Sequence, residues 1–96
     1  PPVSEKIAEY SRMSGVTWEI FYDQNLAKPC GIEIKDNRLF VSDYQTGEII
    51  CIDINTKKEL ARINTGSPGI MGLKIFNGKL WYVNATANTL MRIEPK

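Results

Sequence analysis

The chain has 96 residues, enough for one small domain with a modest core. Its 12 basic and 11 acidic residues give a formal net charge of +1, which excludes the one-sided basicity of a nucleic-acid-binding surface. The longest uncharged stretch, residues 63–73, contains Asn, Thr, Ser, Pro and Gly, so the sequence predicts no membrane partner. Histidine is absent, which removes the commonest general base and the usual zinc ligand.

The first predicted element is a short helix within the N-terminal segment, residues 1–15. Ser4 is a candidate N-cap, Ile7 and Tyr10 form an apolar face, and Gly15 ends the helix. Three helical turns are marginal in water, so we expect this helix to dock on the rest of the molecule or on a neighbouring chain.

The next element is a predicted strand over residues 16–22, a β-branched and aromatic run without a breaker. A loop rich in Asn, Lys and Pro follows, over residues 23–29. The chain then enters a tandem repeat, because residues 31–53 align without a gap on residues 72–94. The clearest matches are Leu39 with Leu80, Phe40 with Trp81, Asp43 with Asn84, Ile49 with Leu90, and Ile52 with Ile93.

A repeat of about forty residues, holding several short strands per copy, is typical of β-propeller blades. In the first blade, residues 29–65, the predicted strands are 32–35, 38–42, 48–54 and 59–64. In the second, residues 68–96, they are 73–76, 79–83 and 89–94. The turns between them carry hairpin residues, of which Asn77-Gly78 is the strongest signal. We therefore predict an all-β protein of two antiparallel four-stranded blades.

The second blade lacks a fourth strand of its own. Residues 16–22 match residues 59–63, the outermost strand of the first blade, and could complete it. Because propellers typically need about four to eight blades, two blades do not close a ring. Either three copies assemble head to tail into a six-bladed homotrimer, each lending residues 16–22 to its neighbour, or the chain is the C-terminal part of a longer propeller. A bare edge on the third strand of the second blade would invite aggregation in either case. Assembly is the slightly favoured expectation.

Two cysteines, Cys30 and Cys51, fall on the first and third strands of the first blade. Two strand spacings are about 9–10 Å, which exceeds the roughly 7 Å limit between Cα atoms in a disulfide. We therefore expect two free and mostly buried thiols.

Three motifs resemble the NHL repeat of six-bladed propellers: Pro-x-Gly-Ile-x-Ile, Leu-Phe-Val-Ser-Asp-Tyr and Gly-Glu-Ile-Ile-Cys-Ile-Asp. Asp43 stands at the aspartate position of the family's second strand, and Asn84 replaces it in the second copy. The family's third-strand arginine is missing from both copies. The resemblance implies a platform that binds protein, RNA or ligand. Some relatives are lactone or ester hydrolases that hold a metal with acidic and amide groups, and lyase relatives use histidines that this chain lacks.

Candidate site residues gather in the loops that this topology places on one rim. They are Asp23, Asn25, Asp43, Tyr44, Asn84 and Asn88. Their oxygens suit a hard cation or a polar ligand, but Asp and Asn also tie turns through local hydrogen bonds. For Asp43 and Asn84 the turn-tying interpretation is favoured and a ligand role stays open. Glu33, on the innermost strand, is expected to face the channel, and Tyr44 is the aromatic residue most available to a ligand, because the strand aromatics are expected between blades.

These features predict a non-catalytic binding or scaffold module that works as a closed ring. No catalytic residue, metal ligand or cofactor is assigned, and the expected partner is a protein or small molecule on the loop rim. No nucleophile elbow, P-loop or dinucleotide fingerprint occurs in the sequence. Two alternatives stay open: a metal-dependent lactonase-like hydrolase using Glu33, Asp43 or Asn84 in the channel, and a structural fragment of a longer propeller.

Overall fold

The computed structural model describes residues 19–93, which form two antiparallel β-sheets. The strands are β1 (Pro29–Lys35), β2 (Arg38–Asp43), β3 (Glu48–Asp53), β4 (Glu59–Asn64), β5 (Ile70–Phe76), β6 (Lys79–Asn84) and β7 (Thr89–Ile93). The first sheet has the order β1-β2-β3-β4 and the second has the order β5-β6-β7. The all-β class is therefore confirmed. The helix predicted within residues 1–15 lies outside the described range, in which no helix is long and apolar enough to cross a bilayer.

Short turns with left-handed residues connect the strands. The β5–β6 hairpin turns at Asn77 (φ 52°) and Gly78 (φ 71°), and the β1–β2 hairpin at Asp36 (φ 56°). Positive φ at these positions matches the right-handed twist of paired strands, which is why Asn, Asp and Gly occupy them. The predicted hairpins are thus confirmed for both copies of the repeat.

The central strands of the first sheet are apolar on both faces. Along the β2–β3 ladder, Phe40 pairs with Cys51 and Ser42 with Ile49, while the alternate pair Val41 and Ile50 points to the opposite face. Ile49 and Ile50 are both fully buried. A strand buried on both faces needs a covering layer on each side.

On one side that layer is the second sheet. An inter-sheet core joins the two sheets, formed by the buried residues Ile49, Ile70, Leu73, Leu80 and Tyr82 together with the partly buried Phe40, Ile63, Ile75 and Ile93. The sheets come closest at their first strands, β1 and β5. A Cβ atom on Gly31 would lie 3.1 Å from the backbone nitrogen of Gly72, so glycine permits this approach.

On the other side the layer is the segment that precedes β1. Phe21, Tyr22 and Leu26 pack with Leu39 on a second cluster formed by Val41, Ile50 and Ile52, here called the outer cluster. The Tyr22 hydroxyl donates to Glu59 Oε1 at 3.0 Å. This segment therefore lies across the first sheet on the face opposite the inter-sheet core.

The strand predicted over residues 16–22 is not seen in its described part. Residues 19–22 belong to no strand, and residues 16–18 lie outside the described range. A β-strand is defined by hydrogen bonds to a neighbouring strand, and no strand within residues 19–93 borders this segment. Residues 19–22 thus have the composition of a strand but no neighbouring strand within residues 19–93 with which to pair.

The two cysteines are free, as predicted, but only one is buried. Cys51 lies on the central strand β3 and is covered on both faces. Cys30 is exposed, contrary to the prediction, because β1 is an edge strand. Its thiol lies 3.2 Å from the Ile70 carbonyl oxygen at the junction between the sheets.

Two glycines of left-handed conformation make a matched stability test. At Gly47 (φ 74°) an added Cβ would overlap the Ser67 carbonyl oxygen, whereas at Gly66 (φ 86°) nothing lies within 4 Å. We expect Gly66→Ala to cost about 1–2 kcal/mol for the backbone alone. Gly47→Ala should cost a further ~1–3 kcal/mol from overpacking. Urea unfolding measures both, and equal losses would contradict the close contact between these loops.

Candidate functional site: the loop rim

Four loops meet at one end of the two sheets and form a continuous surface, here called the loop rim. They are residues 23–28, 44–47, 65–69 and 85–88. Backbone hydrogen bonds connect them: Tyr44 N–H donates to Lys28 O (2.9 Å), Gly69 N–H to Tyr44 O (2.7 Å), and Ala85 N–H to Gly69 O (2.8 Å). The sequence-based expectation that these loops lie together therefore agrees with the contacts.

Asp43 is the buried centre of the rim in the first sheet. Its Oδ1 accepts hydrogen bonds from the backbone N–H groups of Lys28 (3.1 Å), Gln45 (3.0 Å) and Thr46 (3.1 Å), and its Oδ2 accepts one from Ala27 (2.7 Å). Burial by itself raises the pKa of this carboxyl, but the four donors outweigh burial and hold the pKa below its ordinary value. Asp43 therefore stays ionised and ties the β2–β3 turn to the loop before β1.

Asn84 occupies the equivalent position in the second sheet. One of its polar atoms accepts hydrogen bonds, as the Asp43 carboxylate does, but the other donates. Its Oδ1 accepts hydrogen bonds from Thr86 N–H (3.1 Å) and Ala87 N–H (2.9 Å), as Asp43 does within its own turn. Its Nδ2, however, donates to Pro68 O (3.3 Å) and Ser67 Oγ (3.2 Å). An amide satisfies this arrangement, whereas a carboxylate would face an acceptor.

The proline explains why the two copies differ. Pro68 stands 41 residues after Ala27, the same spacing as Asn84 from Asp43. Ala27 offers an N–H to its partner side chain, and proline has none, so the second loop presents its carbonyl oxygen instead. The carboxylate Asp43 therefore faces a backbone donor at Ala27, whereas the amide Asn84 faces a backbone acceptor at Pro68.

The other candidate residues are spread more widely. Tyr44 is half-buried in the rim, with the Lys28 ammonium nitrogen 5.7 Å from its ring centroid. Asn88 is exposed and supplies the left-handed residue (φ 57°) of its turn. Glu33 is on β1 opposite Phe40, away from the rim, where its carboxylate accepts from Ile34 N–H (3.0 Å) and Ile75 N–H (3.3 Å). Glu33 thus joins the first strands of the two sheets and lies apart from the rim candidates.

The remaining loop candidates contribute mainly backbone groups. The Asp23 carboxylate is exposed and accepts from the Gln24 amide (2.9 Å). Asn25 adopts φ 55°, and its carbonyl oxygen accepts from Arg62 Nη1 (3.1 Å). What the rim offers to a ligand is therefore the Lys28–Tyr44 pair beside exposed amide and hydroxyl groups, since Asp43 is occupied by the protein's own donors.

Arg62 was missed by sequence reasoning. It binds Glu59 Oε1 (2.7 Å) and Glu48 Oε1 (3.1 Å), and it also holds the carbonyl oxygens of Gln24 and Asn25. Hydrogen bonding to Glu59, together with Glu48, raises the pKa of the guanidinium above its ordinary value although burial lowers it. Glu59 and Arg62 reach one another because of a register shift in the β3–β4 ladder between Cys51 and Ile52. Such a bulge leaves no clear mark in the sequence.

Within residues 19–93, no three His, Cys, Asp or Glu side chains converge as a metal ion would require. Comparison with family models finds no match for this chain, and no curated protein proves similar to it. The rim is thus defined by its own geometry: a hydrogen-bonded loop surface with one buried carboxylate and one buried amide.

Because Asp43 accepts from a backbone N–H and Asn84 donates to a backbone carbonyl, exchanging the two residue types should destabilise both sites. Asp43→Asn puts an NH₂ group against backbone N–H donors, and Asn84→Asp puts an oxygen against the Pro68 carbonyl. Each should lower the free energy of unfolding by roughly 1–3 kcal/mol. Pro68→Ala should reduce the loss in Asn84→Asp, because an N–H becomes available; a double-mutant cycle in urea measures this coupling. Purely additive losses would contradict the explanation.

Acid should reduce the stability loss of both variants, each for its own reason. The folded pKa of Asp43 lies below the unfolded value, so its stabilisation is complete above about pH 4 and is lost as the pH falls through the folded pKa. The stability difference between the wild type and Asp43→Asn should therefore shrink toward low pH, as measured by urea midpoints at stepped pH. The loss in Asn84→Asp should also shrink at low pH, because the introduced carboxyl gains a proton there and can donate it to the Pro68 carbonyl oxygen.

Proposed function

We propose that the chain is a two-blade unit of a β-propeller, similar to NHL repeats, that works as a binding or scaffold module within a closed ring of blades. The outward faces of the two sheets carry the proposal. In the repeat, the outward face of the first sheet corresponds to the inward face of the second sheet, and the outward face of the second corresponds to the inward face of the first. Both inward faces are buried in the inter-sheet core. The unit therefore has two half-interfaces that remain to be covered.

The outward face of the second sheet is the first half-interface. Ile49 faces the inter-sheet core and is 0% exposed, whereas Leu90, its repeat equivalent, is 68% exposed. Val83, paired with Leu90 across the β6–β7 ladder, is 43% exposed on the same face. A next sheet, packed as the second packs on the first, would bury these side chains. Contiguous exposed apolar surface of this kind is typical of interaction sites.

The outward face of the first sheet is the second half-interface. Ile32 and Ile34 on β1 are 65% and 55% exposed. Their repeat equivalents, Leu73 and Ile75, pack in the inter-sheet core. A preceding sheet would cover Ile32 and Ile34 as the first sheet covers Leu73 and Ile75.

The segment before β1 supports the presence of such a preceding sheet. Tyr22 packs on the outer cluster just as its repeat equivalent, Ile63 of β4, packs on the inter-sheet core. Asn25 (φ 55°) and Gly66 (φ 86°), again 41 residues apart, both adopt the left-handed conformation in the loops that follow. Residues 19–22 thus lie where we expect the last strand of a preceding sheet.

Head-to-tail assembly satisfies both half-interfaces at once. The outward face of one copy's second sheet covers the outward face of the next copy's first sheet, and residues 16–22 pair with the exposed strand β7. Three copies give six blades, within the range of about four to eight that closes a ring. In such a ring the loop rims join into one surface that presents Lys28 and Tyr44 once per copy. We assign the binding role to that surface.

A single charge on the outward face should separate assembly from folding. Leu90→Lys should dissociate the ring, because the lysine would be buried without a partner. Light scattering on a sizing column should give three times 10.9 kDa for the wild type and the mass of one chain for the variant. Leu60→Lys is the control, since Leu60 is 50% exposed on β4 and belongs to neither the inter-sheet core nor the outer cluster. A monomeric wild type would contradict the ring and favour a fragment of a longer propeller.

The strand exchange has its own test. Deleting residues 16–22 should leave the outer edge of β7 uncovered and cause dissociation or aggregation. Glu19→Pro and Ile20→Pro are gentler probes, because successive N–H groups of a strand point to opposite sides. One of the two should therefore remove a ladder donor and weaken the assembly more than the other. A soluble assembly of unchanged mass in the deletion variant would contradict strand exchange.

A further inference from the structure

A groove opens between the two sheets at the end opposite the loop rim. It has a volume of about 320 Å³ and lies beside the β1–β2 and β5–β6 turns. Small-molecule sites in proteins span about 300–1,000 Å³, so the groove is large enough for a small ligand. Nothing in the loop rim contributes to it.

The groove walls are the open end of the inter-sheet core. Phe40 and Ile63 line it from the first sheet, and Ile75, Leu80 and Ile93 line it from the second. All five side chains are wholly or partly buried among one another. An apolar ligand body entering here would extend the core and displace water from apolar surface.

The mouth of the groove is basic. Lys35 and Arg38 pair directly across the β1–β2 ladder, so they share the face that carries Phe40. Within residues 19–93, no side-chain hydrogen bond or ion pair engages either cation. Lys79 and Asp36 also border the opening, so its lining includes three cationic side chains and one carboxylate, and Asp53 pairs with Arg38 across the β2–β3 ladder.

We propose that this groove binds a small amphipathic anion, such as a medium-chain or aryl carboxylate. The apolar body would lie between Phe40 and Ile75, and the carboxylate would meet Lys35 and Arg38. A cation of the same shape would be repelled, and a neutral analogue would lose the charge-assisted hydrogen bonds at the mouth. The arrangement, an apolar cleft with a few convergent polar groups, is that of a ligand pocket.

This inference does not depend on ring assembly. Every residue that lines the groove belongs to the two sheets of one chain. A chain that fails to assemble would still bind the anion, and a ring without a ligand would leave the groove empty. The two proposals therefore fail separately.

Binding is tested with decanoate on the full chain, followed by ¹H–¹⁵N NMR shifts during titration. The shifts should centre on residues 35–40 and 75–80. The double variant Lys35→Gln/Arg38→Gln should weaken decanoate binding by about tenfold or more, the loss expected when charged hydrogen bonds are removed. The control is Lys58→Gln/Lys74→Gln, which removes the same charge at two exposed residues that do not line the groove. The control should bind as the wild type does.

The headgroup is tested with decanol and decyltrimethylammonium. Both should bind at least tenfold more weakly than decanoate, and decanol binding should be unchanged by the double glutamine variant. Equal affinity for decanol and decanoate would overturn the anion preference. Shifts that centre on Leu90 or Ile32, or no binding at millimolar decanoate, would overturn the site. Light scattering on the same samples reports assembly independently.

Discussion

Apolar side chains on both faces of the central strands are the constraint that organises this molecule. Ile49 and Ile50 are neighbours in β3, both fully buried, and necessarily point in opposite directions. One needs the second sheet, and the other needs the segment before β1. A single sheet of this composition would expose one apolar face whichever way it packed. Layering of successive sheets is therefore the way in which such a repeat buries its residues.

The loop rim depends on a second principle, which is the pairing of buried polar groups. A buried carboxylate is tolerated at Asp43 because four backbone donors replace its water. In the second copy, Asn84 also accepts hydrogen bonds within its own turn. Its amide group, however, donates to the carbonyl oxygen of Pro68 instead of accepting from a backbone N–H. These two side chains fix the turns and leave Tyr44 with Lys28 at the surface. The rim is thus tied by hydrogen bonds to its buried side chains and is polar at its surface.

Much of this arrangement could be predicted from the sequence, because the repeat and its turn residues are local signals. The strands, the hairpins and the meeting of Asp43 and Asn84 with their loops follow from alternation and from Asn-Gly or Asp-containing turns. Other features depend on neighbours that a sequence pattern does not specify. Cys30 is exposed because β1 is an edge strand. The Glu59–Arg62 pair needs a bulge, and the pairing of residues 19–22 needs a partner strand.

The close approach of Gly31 to Gly72 bears on the geometry of the ring proposed above. The two sheets approach most closely at β1 and β5, where an added Cβ on Gly31 would lie 3.1 Å from the backbone nitrogen of Gly72. In a ring of sheets, the angle between successive sheets determines how many of them complete a full turn. A side chain at Gly31 would press on the Gly72 backbone and on Ser42, whereas one at Gly72 would meet no atom within 4 Å. In the proposed ring, the spacing of neighbouring first strands, and with it the number of sheets needed for closure, would therefore depend on the absence of a side chain at position 31.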